Sequence, residues 1–229
     1  QEPPLRQRRR QSPSALTISV MRIDLLKTTP DRAGRYYVHF SDGSTMRLYR
    51  QTVEDFALYT GKEFSDEEMR ALKVAAGQMS AKMRAVRIVS ASSVTKRDLE
   101  QRLVHKGESE EQAREAVEWM SDLNLLDDSR VAEQVVQRCI SKGYGLQRAK
   151  QALYEKKVPK QYWEDALADY PDQLEKIEDF LRSRLGDAYD ERELKRAIDA
   201  LMRRGHSYGQ IRKALNRLQL DQEEFPEDY

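Results

Sequence analysis

Residues 95–107 read TKRDLEQRLVHKG, and this stretch decides the fold because the chain repeats its pattern twice. The equivalent stretches are GLQRAKQALYEKK at 145–157 and ELKRAIDALMRRG at 193–205. In each copy a helical pattern ends at a basic doublet, a short break follows, and a second helical pattern begins. The breaks that close the three stretches lie 50 and 48 residues apart. This spacing predicts three tandem repeats of about three short helices each.

Apolar residues at helical spacing explain why each repeat needs its own facing helices. Leu99 and Leu103 lie four residues apart, and Trp163 and Leu167 do the same in the second repeat. Side chains at this spacing share one helix face and are expected to form a core. The chain breaks are expected at Gly107, Lys157 and Gly205.

The first part of the chain has a different period. Between Ala15 and Arg50 the pattern alternates every two residues, and Asp42-Gly43 supplies a hairpin turn. Residues 51–60 are expected to be helical, and Ser65 begins a capping box that starts a helix through about residue 90. The fold class is therefore mainly α: three tandem three-helix repeats form an elongated, curved module, preceded by a small α+β region (a β-meander plus helices).

Composition excludes several classes of protein. The 229 residues carry 40 Lys and Arg against 39 Asp and Glu, and no apolar run approaches the length of a membrane span. The single cysteine, Cys139, and three scattered histidines offer neither a disulfide nor a metal site. We therefore expect a cytoplasmic protein with no membrane partner, no metal and no cofactor.

Charge is uneven along the chain. Residues 1–14 carry four Arg and one Glu, whereas residues 219–229 carry five acids. The first segment is expected to be a disordered basic arm, either a plain solvated tail or an electrostatic tether to nucleic acid. The expected divisions are the basic arm 1–14, the β-meander region 15–79, the repeats 80–130, 131–173 and 174–218, and the acidic tail 219–229.

The adjacent carboxylates Asp127 and Asp128 invite a catalytic interpretation. Acids at this position in LLDDSRVA (125–132) are better explained as the start of a helix, where they cap backbone amides and favour the helix dipole. The sequence contains no glycine-rich phosphate loop and no nucleophile with a nearby base. We therefore expect a protein without enzymatic activity and without catalytic residues.

Basic residues interleaved with tyrosine are the remaining signal. Lys150, Tyr154 and Lys157 follow one helical stripe, and basic residues recur on the corresponding helices of the third repeat. Such a pattern indicates either a solvated face or a surface that binds phosphates. The candidate residues for binding nucleic acid or a nucleoprotein filament are Lys142, Arg148, Lys150, Tyr154, Lys156, Lys157, Lys195, Arg196, Arg203, Arg204, Arg212 and Lys213.

The stretches TKRDL (95–99), LLDDSRVA (125–132) and KGYG (142–145) together resemble the RecX family of recombinase regulators. The resemblance covers about residues 80–218, and the family has three-helix tandem repeats. The chain departs from the usual family pattern at four positions. The family usually has an aromatic residue at Val131, isoleucine near Ala149, glycine at Lys157 and phenylalanine at His206.

The resemblance implies a non-enzymatic regulator in DNA repair, homologous recombination and the SOS response. Such a protein would lie as a monomer in the groove of the RecA–DNA filament and contact both RecA and single-stranded DNA, with double-stranded DNA as a further candidate. Inhibition of ATP hydrolysis and strand exchange is the expected effect, although some members assist recombination. Two alternatives stay open: a transcription regulator of helix-turn-helix type, and a helical adaptor that makes no nucleic-acid contact.

Overall fold

The computed structural model describes residues 20–186 and 189–218 and divides into two compact units, up to Ser80 and from Ala81 onward. The predicted basic arm 1–14 and acidic tail 219–229 lie outside the described residues. Within the described residues, no helix combines the length and the apolar character that crossing a membrane would require.

The first unit contains an antiparallel sheet with the strand order β3-β2-β1-β4. The strands are β1 (Met21–Leu26), β2 (Arg35–Phe40), β3 (Thr45–Tyr49) and β4 (Glu63–Phe64), with the short helix α1 (Arg50–Asp55) after β3. The first turns of α2 (Asp66–Ala91) also belong to this unit. The sheet packs on α2 through a core formed by Ile23, Val38, Phe40, Leu48, Phe64, Met69 and Leu72.

The predicted meander is confirmed, with two differences. Helix α1 ends at Asp55 instead of continuing to Thr60, because Ala57 has a left-handed φ of 44° that no α-helix accommodates. Strand β4 was not predicted, since two residues are too few to show an alternating period. At the start of α2 the Ser65 amide donates to the Glu68 carboxylate at 2.8 Å, as the capping box predicts.

The described residues of the second unit, 81–186 and 189–218, form three groups of three helices. The first group is formed by the end of α2 with α3 (Lys96–His105) and α4 (Glu110–Asp122). The second is formed by α5 (Asp128–Ser141), α6 (Leu146–Glu155) and α7 (Trp163–Leu167), with a 3₁₀ turn over Lys160–Tyr162. The third is formed by α8 (Leu174–Arg184), α9 (Glu191–Arg203) and α10 (Tyr208–Arg217).

Each group has its own apolar core, as the repeat pattern predicts. Leu99, Leu103 and Met120 are buried in the first group, and Leu153 is buried in the second. The larger core of the third group is formed by Leu174, Ile177, Leu181, Leu194, Ile198, Leu201, Ile211 and Leu215.

The middle helix of each group is followed, directly after its C-cap, by a residue with left-handed backbone. These residues are the three predicted breaks, with φ values of 94° at Gly107, 57° at Lys157 and 86° at Gly205. A left-handed residue after the helix cap turns the chain out of the helix and lets the last carbonyls find amide donors. The same local geometry therefore closes α3, α6 and α9.

Candidate nucleic-acid interface

The middle helices of neighbouring groups dock in a repeated manner. The hydroxyl of Thr95, the N-cap of α3, donates to the Lys156 carbonyl at 3.1 Å beside the break that follows α6. In the same way the amide of Gly145, the N-cap of α6, donates to the Arg204 carbonyl at 2.9 Å beside the break that follows α9. The N-terminus of one middle helix thus contacts the C-terminus of the next.

The second of these junctions requires glycine on both sides. A Cβ atom on Gly145 would lie 2.0 Å from the Gly205 carbonyl oxygen, and one on Gly205 would lie 2.3 Å from the Arg148 amide nitrogen. Both distances are far shorter than any contact that a real Cβ makes. Only glycine therefore allows α6 and the break after α9 to approach this closely.

The loop between α5 and α6 is held by three side chains. The consecutive carbonyls of residues 142, 143 and 144 accept hydrogen bonds from Arg204, His206 and Tyr170, in that order, at 3.0, 3.0 and 2.6 Å. Burial raises the pKa of Tyr170 to about 12, so its hydroxyl stays protonated and donates. The loop and the Tyr144 ring that it carries are therefore fixed.

His206 is buried, and only one of its two ring nitrogens has a hydrogen-bond partner among the described residues. Its Nε2 atom faces the Gly143 carbonyl at 3.0 Å, and because a carbonyl oxygen only accepts, Nε2 carries the proton. Its Nδ1 atom has no hydrogen-bond partner in the described part of the chain. Burial lowers the pKa of His206, so the ring stays neutral at neutral pH.

Arg204 occupies the centre of this region. Its guanidinium carbon lies 5.4 Å from the centroid of the Tyr144 ring and 5.1 Å from that of Phe180, within the range of cation–π attraction. One guanidinium nitrogen also donates to the Lys142 carbonyl at 3.0 Å. Two aromatic rings and a backbone carbonyl therefore hold Arg204 in place without a carboxylate.

Around Arg204 lies a cavity of about 280 Å³ that we term the arginine pocket. It is lined by Tyr144, Arg148, Phe180, Arg184, Ala200, Arg203 and Arg204, which come from the α5–α6 loop, α6, α8 and the end of α9. None of the described residues that line it carries a carboxylate. The pocket is therefore strongly electropositive and suited to an anion.

A larger cavity of about 520 Å³, the basic cleft, adjoins the arginine pocket at Tyr144 and Arg148, which line both. It is formed by the end of α2 with α3, α5 and α6. Its cationic side chains are Arg102, Arg138, Lys142, Arg148 and Lys156, and its carboxylates are Asp98 and Glu155.

Ion pairs neutralise both carboxylates of the basic cleft. Buried Asp98 contacts Arg102 and Lys157, each at 2.8 Å. Glu155 contacts Arg148 at 2.9 Å, and this hydrogen bond lowers the pKa of Glu155. Since the cations outnumber the carboxylates, the cleft keeps an excess of positive charge.

The structure brings together some of the predicted binding residues and separates others. We term the predicted binding residues that line either cavity the cavity set. The cavity set is Lys142, Arg148, Lys156, Arg203 and Arg204. The remaining candidates, which line neither cavity, form the outer set. The outer set is Lys150, Tyr154, Lys157, Lys195, Arg196, Arg212 and Lys213.

Two residues of the outer set are engaged in ion pairs. Lys157 follows the end of α6 and turns to Asp98, so it does not continue the stripe of Lys150 and Tyr154. Lys213 lies 3.7 Å from Asp172. Tyr154 is 74% exposed, and its ring is therefore available to solvent.

The acids Asp127 and Asp128 both contact backbone amides at helix starts. Asp127 is the N-cap of α5 and accepts from the Arg130 amide at 2.9 Å. Asp128 is buried, and it accepts from the Lys96 amide at the start of α3, also at 2.9 Å. Asp128 therefore links the first group to the second. This contact was not predicted, because the sequence pattern indicated only that Asp128 favours the dipole of its own helix.

Five basic or aromatic residues that line the cavities were not predicted from the sequence: Arg102, Arg138, Arg184, Tyr144 and Phe180. They lie on α3, α5, α8 and the α5–α6 loop, whereas most of the predicted residues lie on α6, α9 and α10. Tyr144 was within reach, because KGYG places an aromatic residue two positions after Lys142, and basic residues interleaved with tyrosine were the signal that selected Lys150 and Tyr154. The others depend on how helices pack.

The described residues include no cluster of histidine, cysteine and carboxylate side chains that could hold a metal ion. Cys139 lines the basic cleft but is buried, and burial raises the pKa of its thiol. A protonated buried thiol is a poor nucleophile. The polar groups that dominate the two cavities are therefore guanidinium and ammonium groups, which are suited to contact anions.

Comparison with known proteins identifies the family. Residues 127–167 match the family model described as "RecX, second three-helix domain". Regulatory protein RecX of Vibrio parahaemolyticus is 31% identical over 141 residues, which cover 60% of this chain and 91% of the relative. The chain belongs to the RecX family. RecX of Halorhodospira halophila is similar as well, with 30% identity over 146 residues that cover 62% of this chain and 90% of the relative.

Solved structures share the fold. A crystal structure titled regulatory protein RecX has a TM-score of 0.59 at 20% identity and covers 88% of this chain and 100% of the other. RecX from Lactobacillus salivarius has a TM-score of 0.55 at 24% identity and covers 64% of this chain and 99% of the other. The matched family domain begins at the N-cap of α5 and ends at the last residue of α7, so it coincides with the second group. As a RecX family member, the chain is a regulatory protein.

Proposed function

We propose that this protein binds the RecA–DNA filament and lowers its ATP hydrolysis and strand exchange, without catalysing a reaction itself. The observation that carries the proposal is the pair of adjoining electropositive cavities beside the second three-helix domain. A RecX regulator that meets a nucleoprotein filament needs a surface for phosphates, and these cavities supply one. The site of action is then the cytoplasm, and the acting species is a monomer.

The cavity set is proposed to make the filament contacts, and the outer set offers a competing surface. The cavity set has the better geometry, because its side chains converge from several helices on two concave sites. Most residues of the outer set, such as Lys195, Arg196 and Arg212, lie on exposed helix faces, where cations are commonly only solvated. Concave placement surrounds a bound phosphate with protein, and the lower effective dielectric constant strengthens its contact with a cation.

Inhibition follows from binding to one state of the filament. A ligand shifts a conformational equilibrium by the difference between its affinities for the two states. A helical protein that contacts both the DNA and the RecA protomers in one conformation of the filament stabilises that conformation against others in which these contacts are lost. Cycles of ATP hydrolysis in the filament would then slow without any chemical step on this chain.

The test compares two variants with equal loss of charge. The cavity variant carries Lys142→Gln, Lys156→Gln and Arg203→Gln, and the outer variant carries Lys195→Gln, Arg196→Gln and Arg212→Gln. Both should keep their melting temperature, because exposed charges contribute little to stability. Binding to RecA assembled on single-stranded DNA is followed by anisotropy of the labelled chain at several salt concentrations.

The cavity variant should bind about 100-fold more weakly at 0.1 M salt, with a salt slope flatter by roughly 2, because each phosphate contact contributes roughly 0.7. The outer variant should lose less than threefold. The opposite order would move the interface to the outer set. Absence of filament binding by the unaltered chain would overturn the proposal, and sequence-specific binding to short duplexes without RecA would favour the helix-turn-helix alternative.

A further inference from the structure

We infer that the arginine pocket binds a backbone phosphodiester of a nucleic-acid strand and recognises it by charge alone, without contact to a base. The inference deepens the proposed function, on which it rests only for the biological source of the strand. It concerns one cavity of defined lining rather than the basic surface in general.

The first argument is the absence of charge compensation. Four guanidinium groups line a cavity of about 280 Å³, and no described lining residue is acidic. Arg148 is paired with Glu155 at 2.9 Å, but the side chain of Arg203 makes no ion pair and no hydrogen bond among the described residues. Guanidinium groups repel one another at such proximity, and a phosphate with its ring of acceptor oxygens removes the repulsion.

The second argument is the rigidity of Arg204. The contacts with Tyr144, Phe180 and the Lys142 carbonyl hold its guanidinium plane before any ligand arrives. Only one of its nitrogens is used in that hydrogen bond, so further N–H groups are available to a ligand. A prepositioned fork of donors loses little conformational entropy on binding and matches the two oxygens of a phosphodiester.

The third argument concerns the rings, which are already occupied. Tyr144 has the Lys142 ammonium at 5.9 Å and the Arg204 guanidinium at 5.4 Å from its centroid. Phe180 has Arg184 at 5.6 Å and Arg204 at 5.1 Å. A base that stacks on either ring has to compete with two cations, so stacking is disfavoured.

The fourth argument is that the pocket lacks the amide and carboxylate side chains that read bases other than guanine. Direct readout of base edges relies on amide, carboxylate and hydroxyl side chains together with arginine. Apart from arginine and the Tyr144 hydroxyl, the described lining offers only Phe180 and Ala200. The volume also lies at the lower limit of pockets that take drug-sized ligands, so one or two phosphate groups fit better than a whole nucleotide cofactor.

The experiment measures anisotropy of labelled oligomers of equal length on the full chain without RecA. The probes are oligothymidylate, an abasic deoxyribose-phosphate oligomer, oligouridylate, a duplex and a methylphosphonate oligomer that lacks backbone charge. Abasic and RNA oligomers should bind within threefold of oligothymidylate, whereas the methylphosphonate oligomer should lose at least 100-fold. A loss of more than tenfold on removal of the bases would overturn the inference in favour of stacking.

The matched variants are Arg203→Gln and Arg192→Gln, which remove the same charge from the same helix. The two residues lie on one stripe of α9, about 16 Å apart at 1.5 Å per residue, and Arg192 does not line the pocket. Arg203→Gln should weaken binding to both oligothymidylate and the abasic oligomer about tenfold and flatten the salt slope by roughly 0.7. Arg192→Gln should stay within twofold.

Arg203→Lys separates loss of charge from loss of the planar fork, and it should recover part of the affinity. Equal affinities and slopes for Arg203→Gln and the unaltered chain would overturn the inference. The duplex arm reports whether the phosphodiester is taken from one strand or from paired strands. If Arg203→Gln binds normally while the unaltered chain still inhibits RecA, the pocket assignment fails and the proposed function stands. If the variants bind the oligomers as expected but the unaltered chain does not change ATP hydrolysis by RecA, the pocket assignment stands and the proposed function fails.

Discussion

Replacement of Gly145 by alanine should break the junction between α6 and the end of α9. The new Cβ would lie 2.0 Å from the Gly205 carbonyl oxygen and 2.4 Å from the His206 amide nitrogen. Gly145 itself has φ −77° and ψ 166°, a conformation that alanine adopts readily. The effect therefore comes from the clash alone and not from backbone strain at residue 145.

Relief of the clash requires a separation of more than 1 Å, since Cβ contacts shorter than 3.0 Å essentially do not occur. A movement of this size breaks the hydrogen bonds from the Gly145 amide to Arg204 at 2.9 Å and from the Gln147 amide to Gly205 at 3.3 Å. Each contributes about 1 kcal/mol, and the loss of local packing adds to this. Reduced freedom of the unfolded chain offsets about 0.5 kcal/mol, which leaves a destabilisation of about 2 kcal/mol.

Urea unfolding followed by far-ultraviolet circular dichroism measures the change, with Gly209→Ala as the matched control. A Cβ on Gly209 meets no atom within 4 Å, and the residue lies inside α10. Gly209→Ala should therefore stabilise the protein by about 0.5–1 kcal/mol, the usual gain for this change in a helix. Two variants of equal stability, or Gly145→Ala within 0.5 kcal/mol of the unaltered chain, would refute the account of this junction. Because the junction positions Tyr144 and Arg204, Gly145→Ala should also weaken nucleic-acid binding.

Three further predictions concern stability. Asp127→Asn should be nearly silent and Asp127→Ala should cost about 1 kcal/mol in urea unfolding, because asparagine caps α5 as well as aspartate does and alanine cannot. Lys157→Gly should be about 1 kcal/mol more stable than Lys157→Ala, because both lose the contact with Asp98 but only glycine relieves the φ of 57°; equal stabilities would contradict this. Lowering the pH through about 6.5 should reduce the free energy of unfolding, because His206 takes up a proton in the unfolded chain that the buried ring, with its lowered pKa, does not. His206→Phe should flatten this pH dependence. A variant with the pH profile of the unaltered chain would contradict the assignment of this dependence to His206.

The helical repeats were predictable because they rest on local rules. A left-handed break at or just after a basic doublet recurs at Gly107, Lys157 and Gly205, and a capping serine follows the first and the third, so these signals need no knowledge of tertiary contacts. The capping box at Ser65 is equally local. The short strand β4 was not predictable, since its two residues are held by pairing with β1 rather than by their own pattern.

The candidate site was predictable only in part. Arg148, Arg203 and Arg204 could be selected by charge, but their convergence depends on the docking of Gly145 against Gly205. The role of Lys157 was hidden because its partner, Asp98, is 59 residues away. A helical-face argument treats each helix separately, so it cannot identify a pocket whose walls belong to different helices.

The central claim is that this chain regulates RecA, and one titration tests it most directly. Increasing amounts of the protein are added to RecA assembled on single-stranded DNA, and the steady-state rate of ATP hydrolysis is recorded. The account predicts a saturable fall in the rate, with the Lys142→Gln, Lys156→Gln, Arg203→Gln variant shifted to about 100-fold higher concentration. A rate that stays unchanged at saturating protein would contradict the claim.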